Sequence, residues 1–522
     1  MNEHRAEKHS VEHAMQDLLS SPAESWKPRE SGEGSTGQSN PAVASARDRS
    51  VAEKRLKRKL DLRLIPTIVL IYMLDYIDRN AISTARLKGL EHDLSLTDIQ
   101  YDTVVAIFFT LYCAAQVPST MLLNRVQRPS QYIGLCVIAW GLTTAMTGIT
   151  QNYGGILICR LLTGLSESVF IPGSSYFLSR WYTRKELTLR TSIGLAGIMC
   201  SNAFGSLMAA GILSNMEGKR GIRGWRWLYF IEGAITIIIG LFSLWSLPDL
   251  PNNTRWLSPA ERQLAQARLS EDAGEADEDL AQDSMWMGLK MAVRDIKVSI
   301  FAIMLLSTYL GLSFTNFFPS LTATLGFDTT ITLLLAAPPW VFGATVTCIN
   351  GYHADKTGER FFHQSNSQWG TIIGFIIGLS TLVTGGRYVA LFLLAAGHAS
   401  LPMIFVCVSN TIPRPPAKRA AAIGIVTGIG NVGNLIGSYT WKAAWAPLYH
   451  QSMIIGTAAM VLSSFLAFVM RCMLKRMNKR LDEDELGALK DANRERVEDA
   501  ALLEGITLEE AMERKKGFRY LY

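Results

Sequence analysis

Four side chains in this sequence stand where ionised groups are rarely tolerated. Asp78 and Arg79 lie about two thirds of the way along an apolar run at 63–84, and Arg160 and Glu167 fall inside another at 154–178. A charge at bilayer depth costs at least about 2.5–3.5 kcal/mol, so each one requires a partner or a purpose. Seven residues at about 100° each return to one face of a helix, which puts Arg160 and Glu167 two turns apart on the same side. They can therefore share one cavity. The residue types define the chemistry open to them: a carboxylate takes up and releases a proton, whereas a guanidinium stays charged and can hold an anion with its planar fork. A buried network that only neutralises itself and specifies packing is the competing reading.

Other polar residues in apolar runs are weaker candidates. Tyr76 is two residues before Asp78, and Tyr112 is four before Gln116, so both can line the same cavity. Asn431 and Asn434, three apart, either donate to a bound solute or glue helices together among the glycines of GIGNVGNLIG. His398 reads as a satisfied structural histidine, and Glu232 is left open between structure and a proton path. There is no nucleophile–base pairing, metal-ligand cluster or phosphate loop, so an enzyme is not expected, nor a cofactor or metal. The seven cysteines show no CxxC or CxxxC spacing and read as small core residues.

The elements that must position these side chains are helices. Of the 522 residues 48% are hydrophobic and only 18% charged, and the apolar ones come in blocks. About twelve runs of roughly 18–25 residues, each able to cross about 30 Å of hydrocarbon, can be counted. They lie near 63–84, 103–124, 132–150, 154–178, 190–213, 227–247, 298–318, 329–350, 367–385, 387–411, 420–444 and 451–473. One soluble core cannot bury so many all-apolar helices, so the expected class is an all-α membrane protein. The division expected is a disordered cytoplasmic N-terminus at 1–60, a six-helix bundle at 61–248, a cytoplasmic linker at 249–297, a second bundle at 298–474 and a cytoplasmic tail at 475–522.

Basic residues set the orientation. Arg55, Lys57, Arg58, Lys59 and Arg63 precede the first run, and Arg125, Arg128, Arg180 to Lys185, Lys356, Arg360 and Arg414 to Arg419 follow even-numbered runs, which makes both termini cytoplasmic. Lys219, Arg220, Arg223 and Arg226 break the pattern on the outer side. The net charge of +6 reports topology and does not suggest nucleic acid. Within the linker Ser258-Pro259-Ala260-Glu261 predicts a capped surface helix.

After the eighth run, GYHADKTGER (351–360) matches the loop pattern G-x-x-x-D-[RK]-x-G-x-[RK] of the major facilitator superfamily at every fixed position. Gly351, Asp355, Lys356, Gly358 and Arg360 thus form a candidate conformational latch, with Gly358 making a tight turn and Lys418 or Arg419 as the expected partner of Asp355. The matching loop of the first half, 124–129, lacks the acid and the glycine. Further stretches resemble one branch of that superfamily, the anion:cation symporters, and among them the fungal allantoate-permease-like transporters. They are DYIDRNAISTARLKGLEHDLSLTDIQYDT (75–103), QVPST (116–120), CRLLTGLSESVFIPGSSYFLSRWYTRKEL (159–187), RGWRWLYFIEGAITIIIG (223–240), KRAAAIGIVTGIGNVGNLIGSY (418–439) and GFRYLY (517–522).

The resemblance implies a monomeric carrier with twelve transmembrane helices in two six-helix bundles, which moves a small organic anion (carboxylate, vitamin or ureide type) with protons across a plasma membrane. It implies Asp78 and Glu167 as proton-bearing groups, with Arg79 and Arg160 as counter-charges and anion anchors. The physics agrees: an anion that occupies an arginine removes the counter-charge of the acid beside it, so anion and proton are held better together than apart. An efflux antiporter or uniporter of the same fold, or a non-transporting nutrient sensor, remains the alternative.

Overall fold

The structure, a computed structural model, describes residues 41–86, 89–251, 253–273, 285–327, 329–412, 415–441, 445, 448–483 and 519–521. The chain divides into two units, Met1–Glu53 and Lys54–Tyr522. In the first, the described residues are helical and carry an Arg49–Glu53 ion pair of 3.2 Å. The second contains everything that follows. Residues 1–40, the linker residues 252 and 274–284 and residues 484–518 lie outside the described residues.

Each apolar run is a helix, and no strand occurs among the described residues. In chain order they are α1 (Pro41–Arg86), α2 (Asp98–Arg125), α3 (Pro129–Thr147), α4 (Tyr153–Glu167, continued by Phe170–Ser179), α5 (Leu187–Asn215) and α6 (Gly224–Ser246). The second set is α7 (Ile296–Gly311), α8 (Thr329–Thr357), α9 (Phe361–Ser380), α10 (Thr384–Ala396, continued by Ser400–Thr411), α11 (Pro416–Ser438) and α12 (His450–Glu483). The chain is an all-α membrane protein of twelve spanning helices in two sets of six. Among the described residues seven helices are long and apolar enough to cross a membrane on those grounds alone. α1 carries Asp75, Asp78 and Arg79 within its apolar stretch. Helix ends differ from the apolar runs where polar residues extend a helix: α9 starts at Phe361, and α12 runs on to Glu483.

Apolar side chains point outward and charges inward. Leu135, Leu142 and Met146 on α3, and Ile454, Val461 and Phe468 on α12, are exposed, whereas Asp75, Asp78, Arg160, Glu167 and Glu232 are buried. That is the arrangement a lipid solvent favours. Between the halves, α2 lies along α11 and α5 along α8. At the first seam a Cβ on Gly424 would stand 2.9 Å from the Val117 Cα, and one on Gly428 3.0 Å from the Cys113 carbonyl oxygen. Main chain there runs directly on main chain.

Two helices are broken, for the same reason. Proline has no N–H to donate four residues back. Pro172 leaves the Ser168 carbonyl without its helical donor, and α4 is interrupted just after Glu167; Pro402 does the same to His398, and α10 passes through a 3₁₀ turn at Gly397–Ala399. The linker helix Pro259–Ala273 begins as expected: the Glu261 N–H donates to Ser258 Oγ (3.2 Å) and the Ser258 N–H to Glu261 Oε2 (2.9 Å). Glu261 also pairs with Lys59 of α1 at 2.9 Å. The outer basic cluster has structural partners too. Arg223 pairs with Asp93 at 2.9 Å, and Arg226 donates to the Gly148 carbonyl at 2.8 Å, tying the start of α6 to neighbouring loops.

Candidate functional site

Arg79 is the centre of the charged group, and its partners differ from the expected ones. Its Nε donates to Glu167 Oε1 at 3.0 Å, its Nη2 also bonds Glu167, and it pairs with Asp75 at 3.3 Å. Asp78, the neighbour in sequence, makes no ion pair with it. Adjacent helical residues point about 100° apart, whereas residues four apart share a face, so Asp75 is the α1 carboxylate that meets Arg79. The guanidinium is enclosed by aromatic rings: Tyr76, Phe108 and Tyr112 stand 5.0, 5.2 and 4.9 Å from it, ring centre to Cζ. Cation–π attraction and the double carboxylate hold the charge at depth.

Asp78 turns toward the interior of the first half. Its Oδ2 accepts from Trp140 Nε1 at 2.7 Å and from Thr236 Oγ1 at 2.8 Å. Arg160 acts electrostatically on Asp78, on Glu232 and on Tyr229, so these residues form a second charged group adjoining the first. Arg160 is 5% exposed, yet its Nε and Nη2 have no hydrogen-bond partner among the described residues. The same holds for Glu232 Oε2, Glu167 Oε2, the Tyr112 and Tyr229 hydroxyls and both amide atoms of Gln116. Buried polar atoms left unpaired cost about 1–3 kcal/mol each, more when charged, so this set is a candidate for meeting a bound group. Four buried carboxylates (Asp75, Asp78, Glu167, Glu232) accompany two guanidiniums (Arg79, Arg160). Fully ionised, the group would hold an excess of negative charge at bilayer depth, which bound protons would relieve.

Sequence reasoning missed Asp75, although the D-x-x-x-R spacing of Asp75 and Arg79 signals it. Trp140 and Thr236 gave no sequence signal, because only the fold brings α3 and α6 to Asp78. The asparagines of α11 bond to each other and their own helix: Asn431 Nδ2 donates to the Thr427 carbonyl at 2.9 Å and Asn434 Nδ2 to Asn431 Oδ1 at 3.2 Å. His398 is buried with both ring nitrogens engaged, Nδ1 at 3.2 Å from the Ala395 carbonyl and Nε2 at 3.2 Å from Thr315 Oγ1.

The residues of the candidate latch lie at the seam of α5 and α8. Asp355 accepts from the backbone N–H groups of Thr188 (3.2 Å) and Leu189 (2.8 Å), which open α5, and from Arg360 Nη2 at 3.1 Å. A helix N-terminus offers unpaired N–H groups and partial positive charge, so it replaces the cation that was expected. Neither Lys418 nor Arg419 pairs with Asp355. Lys418 binds Asp295 at 2.7 Å, and Arg419 lies over the Tyr176 ring at 5.3 Å. Arg360 also donates to the Arg184 carbonyl at 2.9 Å, Gly358 takes the left-handed turn at φ 71°, Gly351 packs on Ser192, and Lys356 is exposed. The last described residues reach the same place. Asn478 of α12 exchanges two hydrogen bonds with the Tyr520 backbone (2.9 and 3.0 Å), and Arg184 donates to the Arg519 carbonyl at 3.1 Å. Beside them, burial raises the Glu186 carboxyl, but the charge of Arg268 and the bond and charge of Lys57 outweigh it and hold the group below its ordinary range.

A sequence model of the Major Facilitator Superfamily matches residues 68–438. The chain is 33% identical to the MFS-type transporter cnsO of Penicillium expansum over 447 residues, covering 82% of this chain and 85% of that one. It is 31% identical to the MFS-type transporter efuF of Hormonema carpetanum, covering 81% and 85%. Among solved structures, the proton:xylose symporter XylE bound to 6-bromo-6-deoxy-D-glucose superposes with a TM-score of 0.58 at 17% identity, over 77% of this chain and 95% of that one. At that identity the likeness is one of fold.

Proposed function

This chain belongs to the Major Facilitator Superfamily, and from that premise we propose that it brings a small organic anion into the cell together with protons. It is a membrane transporter and not an enzyme. The finer reading is symport by alternating access across the plasma membrane, within the anion:cation symporter branch and its allantoate-permease-like members. In that reading the chain works as a monomer, with the latch side and both termini in the cytoplasm.

The observation that carries the proposal is Arg160: a guanidinium 5% exposed, with two donor nitrogens unengaged, beside an excess of carboxylates. A carboxylate solute would satisfy those donors, and Arg is suited to it because its fork binds both oxygens. The arriving negative charge favours protonation of the acids around it, and reciprocity then requires that a protonated site hold the anion more tightly. Asp75 and Glu167 share Arg79, so an incoming anion competes with these carboxylates for the guanidinium, and a proton taken up by either acid releases it. Tyr76, Tyr112 and Gln116 supply the walls, and Asn431 and Asn434 a neutral face from the second half.

The test is uptake in fungal cells lacking their own carriers, screened with nicotinate, allantoate, pantothenate and other small carboxylates while a pH electrode records the medium. The expected result is alkalinisation in step with uptake of one of them. Uptake without any pH change, or acidification on solute addition, would sink the symport reading and favour a uniporter or an antiporter.

A further inference from the structure

The short helix Met285–Arg294 leads into α7 with a single residue, Asp295, between them. Asp295 accepts from the Lys297 N–H at 3.0 Å, which caps α7, and pairs with Lys418 at the start of α11 at 2.7 Å. Its inner face is made of small residues. Gly288 and Ala292 are buried, and a Cβ on Gly288 would stand 2.7 Å from the Ala417 carbonyl carbon. The outer face is different in kind. Trp286, Met287 and Val293 are 73, 48 and 63% exposed, Ile296 follows at 62%, and Lys290 and Arg294 are exposed among them. Trp286, Met287, Lys290, Met291 and Arg294 together line a shallow groove of about 420 Å³. The segment MWMGLKMAVR contains no acid.

An apolar face of this size is unfavourable in water, and a face of tryptophan, methionine and valine studded with basic residues is the composition of a helix lying in a membrane interface. Its height is fixed, because it continues directly into a spanning helix that starts at Ile296. At that level the apolar side chains would enter the acyl region, the indole would lie among the headgroups, and Lys290 and Arg294 would reach phosphate. We propose that Met285–Arg294 is a binding surface for anionic phospholipid, with the headgroup phosphate held between Lys290 and Arg294 beside Trp286. Each cation near an anionic surface strengthens association by about fivefold. Lipid held here would bear on the junction that Asp295 and Lys418 make between α7 and α11.

The experiment uses the purified full chain in vesicles of phosphatidylcholine, alone or mixed with phosphatidylserine, with brominated acyl chains on one lipid at a time. Bromine quenches indole fluorescence on contact, and the difference between wild type and Trp286→Phe isolates Trp286 from the other tryptophans. The expected result is that brominated phosphatidylserine quenches the Trp286 component at least about twofold more than brominated phosphatidylcholine, and that Lys290→Glu/Arg294→Glu removes the preference. Retained lipid counted by native mass spectrometry on the double variant gives an independent reading: fewer phosphatidylserine molecules per chain than wild type supports the site. Equal quenching by both lipids would overturn it, since contact without headgroup choice is not a phosphate site. No quenching by either would also overturn it and would mean that protein, another copy or a soluble partner, covers the face.

Discussion

The breaks in α4 and α10 are made by the same device and filled with opposite chemistry. In α4 the interruption behind Pro172 leaves Glu167 at the helix end, fully buried, facing Arg79 and with one oxygen unpartnered. In α10 the interruption around Pro402 leaves His398, packed edge-on against Phe314 and Trp340 at 5.9 and 5.2 Å between ring centres, with both nitrogens engaged. Among the described residues the buried carboxylates within helices lie in the first six, while the second six bury amides, hydroxyls, this histidine and, at helix starts, Arg360 and Arg419. The two halves share an architecture and divide the labour: one carries charge, and the other supplies shape and neutral hydrogen bonds.

The comparison is broken most directly at Arg79. Arg79→Ala leaves Asp75 and Glu167 facing each other without a cation, and an orphaned buried pair costs about 3–5 kcal/mol, so a clear drop in thermal unfolding temperature in detergent is expected. Glu167→Gln keeps shape and removes a titrating group; proton-coupled uptake should fall by about 10²-fold or more, with the unfolding temperature nearly kept. The substitution Arg160→Lys retains the charge and loses the fork, so the KM for the anion should rise by about tenfold, one decade being about 1.4 kcal/mol. On the other side of the comparison, His398→Gln and Asn434→Ala each remove neutral hydrogen bonds worth about 1 kcal/mol, and uptake should change by no more than about threefold. If either neutral variant were as damaging as Arg160→Lys, the division between halves would be wrong.

The smallest effect is one of pH. Glu186 ionises more readily in the folded chain than in the unfolded one, because Arg268 and Lys57 outweigh its burial. Its contribution is therefore present above the ordinary carboxylate value and lost as pH falls below about 4. Wild type should lose unfolding temperature across that interval, and Glu186→Gln should lose less.

The helices were legible in the sequence because lipid imposes a simple rule on composition, and the run at 329–350 was readable even with Pro338 and Pro339 inside it. Arg160 and Glu167 could be set on one face because both lie on the same unbroken segment. Which acid meets which base was not legible. Asp78 and Arg79 are adjacent, and adjacency in a helix separates side chains, so the true partner Asp75 stood one turn away. The latch partner failed for a related reason: Asp355 is satisfied by main-chain N–H groups of Thr188 and Leu189, and backbone donors leave no mark in a residue pattern.

The seam of α2 and α11 bears on how such a molecule moves. Gly424 and Gly428 bring backbone against backbone, so at these two points no interlocked side chains would have to be unlaced if one half tilted over the other. In the proposed carrier that surface would serve as a smooth bearing, and Asp355, held by directional bonds at the α5–α8 seam, would be the catch to lift before it turns.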